Sequence, residues 1–140
     1  MKSPSELTTK FRAAGLKITP QRALMFKLLH GNTSHPSADA IYEEAQRVMP
    51  SISLRTVYQT LNDLVAMGEI DQIDLGTGAT RFDPKTEGHH HFICDECSSI
   101  HDVQVDTAAA ISVEDSVHRV RTAEVVFRGM CASCARKGSN

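Results

Sequence analysis

The chain has 140 residues, 41% of them hydrophobic, with a formal net charge of −2. That length allows one domain or two small ones, and no run of 18 or more apolar residues is present to span a membrane. The N-terminus lacks a basic-then-apolar signal pattern, so a cytoplasmic protein is expected. The charge is uneven: eight Lys and Arg stand against five Asp and Glu through Met67, and seven against twelve thereafter. A mildly basic first half suits nucleic acid and suits ordinary solvated surface equally well.

In chain order, Ser5 to Ala14 reads as a short helix, with Leu7, Phe11 and Ala14 on one face and Gly15 as a left-handed stop. Thr19-Pro20 starts a second helix, a hydroxyl cap followed by proline at the first helical position. It runs through Leu29, ends near His30 and Gly31, and is apolar round much of its circumference, which suits a central core helix. Ser37 caps a third, with Ala38, Ile41, Tyr42, Ala45 and Val48 following at helical spacing. Pro50 to Ser53 breaks that helix and caps a fourth. There Leu54, Val57, Leu61, Leu64 and Val65 form the apolar stripe, and Arg55, Gln59 and Asn62 the polar one. Glu69 to Leu75 and Ala79 to Asp83 read as a hairpin turned by Gly76-Thr77-Gly78.

Helices followed by a hairpin, the last helix carrying a polar face, predict a winged helix-turn-helix over residues 1–83. In such a fold Gln59 and Asn62 suit adenine edges and Arg55 suits guanine or phosphate. Thr56 and Tyr58 flank that face as phosphate contacts, and Lys17 and Arg22 suit backbone or minor groove.

Residues 84–140 predict a small α/β domain. Its strands are expected at His89 to Cys94, Ser99 to Val105 and Ala123 to Met130, with a short helix over Asp106 to Val117. Its size is too small for a large core, so a metal staple and a second subunit are expected to supply the stability. All four cysteines fall in two Cys-x-x-Cys pairs, Cys94 and Cys97, then Cys131 and Cys134. In a reducing compartment this pattern is a closed four-thiolate zinc site; the competing redox-dithiol reading lacks its βαβ context. A harder set of donors also stands out: His35, Asp83, His89, His91 and Asp102. His89 and His91, two apart on a strand, reach one face. Imidazoles with carboxylates suit iron(II), manganese(II) or zinc. Composition and spacing alone do not join His35, in a polar loop, to the others.

These stretches resemble the Fur family of metal-dependent transcriptional repressors. The segments that carry the resemblance are Ala14 to Arg22, His35 to Tyr42, Ser53 to Leu61, Arg81-Phe82-Asp83 and His89 to Cys97, in order along nearly the whole chain. The resemblance implies an α+β protein, with an N-terminal winged helix-turn-helix and an α/β dimerisation domain holding a four-cysteine zinc site. It also implies a regulatory iron or manganese site made by His35, Asp83, His89, His91 and Asp102. The two aspartates, where iron-sensing members tend to carry glutamate, make the chain most similar to the peroxide-sensing PerR branch. That branch implies a homodimer on a palindromic DNA operator, released when iron-catalysed oxidation strikes His35 or His91. An iron-responsive repressor without peroxide sensing is the nearest alternative. A zinc-dependent DNA-binding module with no sensing role, its five hard donors incidental, is a further one. A small metalloenzyme is remote, since the chain has no phosphate loop or nucleophile motif. The family often has a histidine ahead of the second cysteine pair; residues 120–125 contain none. His90, His101 and His118 are read as non-ligands.

Overall fold

The computed structural model describes residues 1–76, 78–105, 117–119, 121 and 123–138. The chain divides into two compact units, Met1–Thr86 and Glu87–Asn140.

The first unit is built on four helices, α1 (Pro4–Ala13), α2 (Pro20–Leu29), α3 (Ala38–Val48) and α4 (Leu54–Ala66), followed by strands β1 (Asp71–Ile73) and β2 (Arg81–Asp83). Each helix begins at a hydroxyl cap. Ser3, Thr19, Ser37 and Ser53 accept the backbone N–H of Glu6, Arg22, Ala40 and Thr56, each satisfying a donor that the first turn leaves open. Ser3 and Glu6 complete a capping box, so α1 starts one residue earlier than its apolar spacing suggests. Gly15, at φ +77°, turns the chain out of α1 in a conformation that a β-carbon would strain.

The core is assembled from one face of each helix. Leu7 and Phe11, Met25, Phe26 and Leu29, Ile41 and Ala45, and Val57, Leu61 and Leu64 are all fully buried. The Phe11 and Phe26 rings meet edge to face at 4.9 Å. Burial of each large side chain contributes about 2 kcal/mol. Three of the expected apolar positions depart from expectation. Ala14 is exposed as the cap residue beyond α1, and Val48 is 66% exposed and Leu54 37% exposed, because each is a terminal residue of its helix and overruns the core. Thr60 is buried instead, its hydroxyl donating to the Thr56 carbonyl at 2.8 Å. The helices are also tied by charge. Arg22 Nη2 lies 2.9 Å from Asp63 Oδ2, joining α2 to α4, and Lys10 Nζ lies 2.6 Å from Glu69 Oε1.

β1 and β2 pair antiparallel, Gln72 opposite Phe82. The His35-Pro36 loop is laced to β2: Phe82 N–H donates to the Pro36 carbonyl at 2.9 Å, and Arg81 Nη1 to the His35 carbonyl at 3.1 Å.

The second unit is a three-stranded sheet in the order β4-β3-β5, with β3 (His90–Cys94) central, β4 (Ile100–Val103), β5 (Val126–Gly129) and a C-terminal helix α5 (Ala132–Lys137). β3 runs antiparallel to β4 and parallel to β5. The outer strands are shorter than their sequence patterns because β3 offers only five residues to pair with. Among the described residues, Ile93, Cys94 and Ile100 are its buried apolar ones, whereas Phe127 and Met130 are exposed. The helix expected over Asp106 to Val117 falls almost wholly on residues 106–116, outside the described residues. Among the described residues, no helix is long and apolar enough to cross a membrane.

Candidate metal centres and nucleic-acid interface

The four cysteines converge through the register of the sheet. Cys94 ends β3 opposite Gly129 at the end of β5, so the two strands deliver their following turns to the same edge. Asp95 N–H donates to the Gly129 carbonyl at 2.8 Å and Ser98 N–H to the Cys94 carbonyl at 2.9 Å, folding the first knuckle back on itself. Cys131 caps α5, which brings Cys134 in beside it. One sulfur from each cysteine lies within 4.8 Å of the others, and Cys97 and Cys131 Sγ are 3.8 Å apart. A separation of ~3.8 Å is the edge of a tetrahedron with Zn–S bonds of ~2.3 Å.

The sulfurs are also electrostatically prepared. Cys131 N–H donates to Cys94 Sγ at 3.3 Å. That donation, with others from Cys97 and Glu96, pulls the Cys94 thiol down to about 6 despite its burial. Cys131 is lowered in the same way, first by the Cys134 N–H. Cys134 is pushed up to about 12 by the neighbouring thiols, Cys131 foremost and then Cys97. Four thiols this close resist a full set of negative charges unless a cation stands among them, and a bound cation deprotonates its thiols outright. The donor set and spacing therefore fit zinc.

The harder donors form two preassembled groups, one in each unit. In the first unit His35 and Asp83 are both buried, and His35 Nε2 lies 3.2 Å from Asp83 Oδ2. The other carboxylate oxygen accepts the Lys85 N–H at 2.9 Å. His35 holds φ at +51°, a left-handed conformation uncommon outside glycine, in which histidine is one of the enriched exceptions. Its place against Asp83 follows from the lacing of the His35-Pro36 loop onto β2. In the second unit Asp102 stands directly opposite His91 in the β3–β4 pairing. Asp102 Oδ1 lies 3.2 Å from His89 Nε2 and 3.5 Å from His91 Nε2. The two rings meet edge to face at 4.5 Å. Each ring turns its Nδ1 away: that of His89 contacts the Glu87 carbonyl and that of His91 the Glu124 carboxylate, both at 2.5 Å. A buried imidazole against a carboxylate, and two imidazoles converging on another, form a donor set suited to a divalent first-row ion.

The remaining histidines have other partners. His90 Nδ1 accepts the Val125 N–H at 2.9 Å, His101 Nε2 meets Ser99 Oγ at 3.0 Å, and His30 caps the end of α2.

On α4, Arg55, Tyr58, Gln59 and Asn62 are exposed and Thr56 half-buried. Arg55, Thr56 and Gln59 line a surface hollow together with Lys17 and Arg22. Tyr58 and Asn62 line a second hollow on the hairpin side, with Gln72 and Thr80. Lys17 is exposed. Arg22 is held by Asp63, donates to the Lys17 carbonyl at 3.1 Å and lies 5.6 Å over the Phe11 ring.

Residues 13–127 match the model of the Ferric uptake regulator family, and the chain belongs to that family. It is a metal-binding transcriptional repressor and not an enzyme; family members act as DNA-binding dimers. It is 31% identical over 137 residues to the peroxide-responsive repressor PerR of Staphylococcus epidermidis, covering 96% of this chain and 91% of that protein. Among solved structures it is similar to the Campylobacter jejuni peroxide stress regulator, with a TM-score of 0.65 and 28% identity over 96% of this chain and all (100%) of that one. The Helicobacter pylori ferric uptake regulator Fur superposes with a TM-score of 0.78 at 21% identity, covering 94% and 90% of the two chains, and shows the shared fold.

Proposed function

We propose that the chain is a peroxide-sensing repressor whose DNA affinity is set by one divalent ion held jointly by its two units. The observation that carries this reading is the double preassembly: His35 with Asp83 in one unit, and His89 and His91 with Asp102 in the other. Only residues 84–88 separate Asp83 from His89 in the chain. Neither group alone offers the full donor set; together the five would hold iron(II) or manganese(II). Cys94, Cys97, Cys131 and Cys134 would hold a structural zinc that staples the small sheet.

The first unit acts in this reading as a winged helix-turn-helix, and the second as the dimerisation and metal-sensing domain of a cytoplasmic homodimer. Arg55, Gln59 and Asn62 on α4 face base edges in the major groove. Thr56 and Tyr58 donate hydroxyls to phosphates, and Lys17 contacts the backbone. Arg22, committed to Asp63, braces the Lys17 turn as part of the same surface. Joining the five donors favours the arrangement in which two such helices match the half-sites of a palindromic operator. The ion then works as an effector through its preference for that arrangement.

Iron(II), when bound, would supply the redox centre at which peroxide is activated. His35 or His91, as an inward-facing imidazole, would be oxidised by two electrons overall: one peroxide oxygen would form a new C–O bond on the ring, and the other would leave as water with the displaced ring proton. The oxidised ring would be a poor ligand; the two groups would part, and operator affinity would fall. The test is operator binding before and after peroxide, on protein of known metal content. Release in the iron form, with retention in the manganese form, is the expected result. Retention in both forms would leave an iron-responsive repressor without peroxide sensing.

A further inference from the structure

We propose that Glu124 is a positioning residue for His91: its carboxylate fixes the ring tautomer that presents Nε2 to the regulatory ion. This inference rests on reading His89, His91 and Asp102 as metal ligands. Residues 120–125 carry no histidine, so the segment offers no imidazole for a further metal site. The structure gives it a different use.

Glu124 Oε1 lies 2.5 Å from His91 Nδ1. The contact is set by two hydrogen bonds at Val125, one from backbone and one to a ring. His91 N–H donates to the Val125 carbonyl at 3.2 Å, and the Val125 N–H donates to His90 Nδ1 at 2.9 Å. Val125 is thus held on both its polar groups by consecutive histidines, and Glu124 is delivered beside the His91 ring. His90, read as a non-ligand, has a role here: its ring anchors the segment just ahead of β5 that carries the carboxylate.

An ionised carboxylate only accepts hydrogen bonds, and Glu124 at 2.5 Å from Nδ1 is far closer than Asp102 at 3.5 Å from Nε2, so the proton of the neutral His91 ring is favoured on Nδ1. The lone pair is then on Nε2, the nitrogen that faces Asp102 Oδ1 at 3.5 Å. His89 reaches the same tautomer by another means, its Nδ1 against the Glu87 carbonyl. The two differ in kind. A carboxylate partner is a stronger acceptor than a peptide carbonyl and raises the basicity of the imidazole it holds. His91 is therefore the more firmly oriented and more strongly donating of the pair. Glu124 itself is 47% exposed and outside the first ring of donors, so it can be changed without opening a cavity.

The test uses full-length protein with its cysteine site zinc-loaded, in three variants. Nitrogen-15 spectra of the imidazoles are recorded without the second metal, and manganese(II) affinity is measured by competition. In Glu124→Ala the His91 ring is expected to populate both neutral tautomers, and manganese(II) affinity to fall about 10–100-fold, with zinc content unchanged. Glu124→Gln keeps an acceptor oxygen, so it should retain the Nδ1–H tautomer and recover part of the affinity. An alanine variant with an undisturbed tautomer and undiminished affinity would overturn the inference, as would a glutamine variant no better than alanine on either measure. His91→Ala separates the two levels. If it binds manganese(II) like the parent, the reading of the site is wrong and this inference falls with it. If it abolishes binding while Glu124→Ala changes nothing, Glu124 alone is misassigned.

Discussion

Asp102 stands directly across the β3–β4 pair from His91, with Oδ1 3.5 Å from the ring Nε2 and 3.2 Å from that of His89. Cross-strand opposition is the closest approach a sheet offers two side chains, so His91 and Asp102 are set by strand register, and His89 stands one residue ahead of β3. Donors held this way are oriented before the ion arrives, which lowers the cost of ordering them on binding.

The cysteine site makes the first prediction. Cys94 and Cys131 thiols are lowered by backbone N–H donors while Cys134 is raised by its neighbours, an arrangement that a cation resolves. Cys97→Ala is expected to lose zinc, and with it the folded second unit and the dimer. Zinc content and sedimentation check this together. A stable, zinc-free dimer would contradict the structural role.

The oxidation chemistry makes a second. After peroxide, the iron form should gain the mass of one oxygen on the peptide containing His35 or the one containing His91, read by peptide mass spectrometry. The manganese form should gain none. Oxidation spread over exposed methionines, with both histidine peptides unmodified in the iron form, would argue against a ligand as target.

How far the sequence goes depends on the range of the interaction. Ser37, Ser53 and Thr19-Pro20 announce their helices because a cap acts within one turn. The cysteine pairs are legible because ligand chemistry fixes their spacing. His35 is not legible from spacing: its burial and its φ of +51° come from the lacing of its loop to Arg81 and Phe82, far along the chain. Only the family resemblance joined it to the others. Glu124 was equally hidden, since parallel pairing of β3 with β5 brings it to His91. The six residues of α5 carry no apolar period to betray a helix, and its cap is a cysteine.

Glu69 gives a pH dependence. It is buried where α4 gives way to β1, and accepts from Lys10 Nζ at 2.6 Å and from the Lys2 N–H at 2.9 Å. Burial pushes its carboxyl up, but the Lys10 and Lys2 donors together outweigh it and hold the group below its ordinary 4.5. A folded value below the unfolded one means that the stabilisation is complete above about pH 4.5 and is lost as pH falls through the folded value. Glu69→Gln should flatten the acid limb of the stability curve in that window. An unaltered acid limb in chemical denaturation would contradict it.

The helical core gives a fourth expectation. Leu61 is fully buried on α4, on the side opposite the exposed polar face. Leu61→Ala should destabilise the first unit by about 2–5 kcal/mol, seen as a lower urea midpoint, with zinc content unchanged. A loss below about 1 kcal/mol would mean that the site collapses around the deletion or is less tightly packed.

The central claim, one ion shared by ligands of both units, is tested most directly by operator affinity as a function of manganese(II), in the parent and in the His35→Ala and His91→Ala variants. The account predicts a steep gain in affinity with manganese(II) in the parent, and its loss in both variants, whose zinc-loaded dimers stay intact. Metal-independent operator binding in the parent, or an undiminished manganese(II) response in either variant, would contradict it.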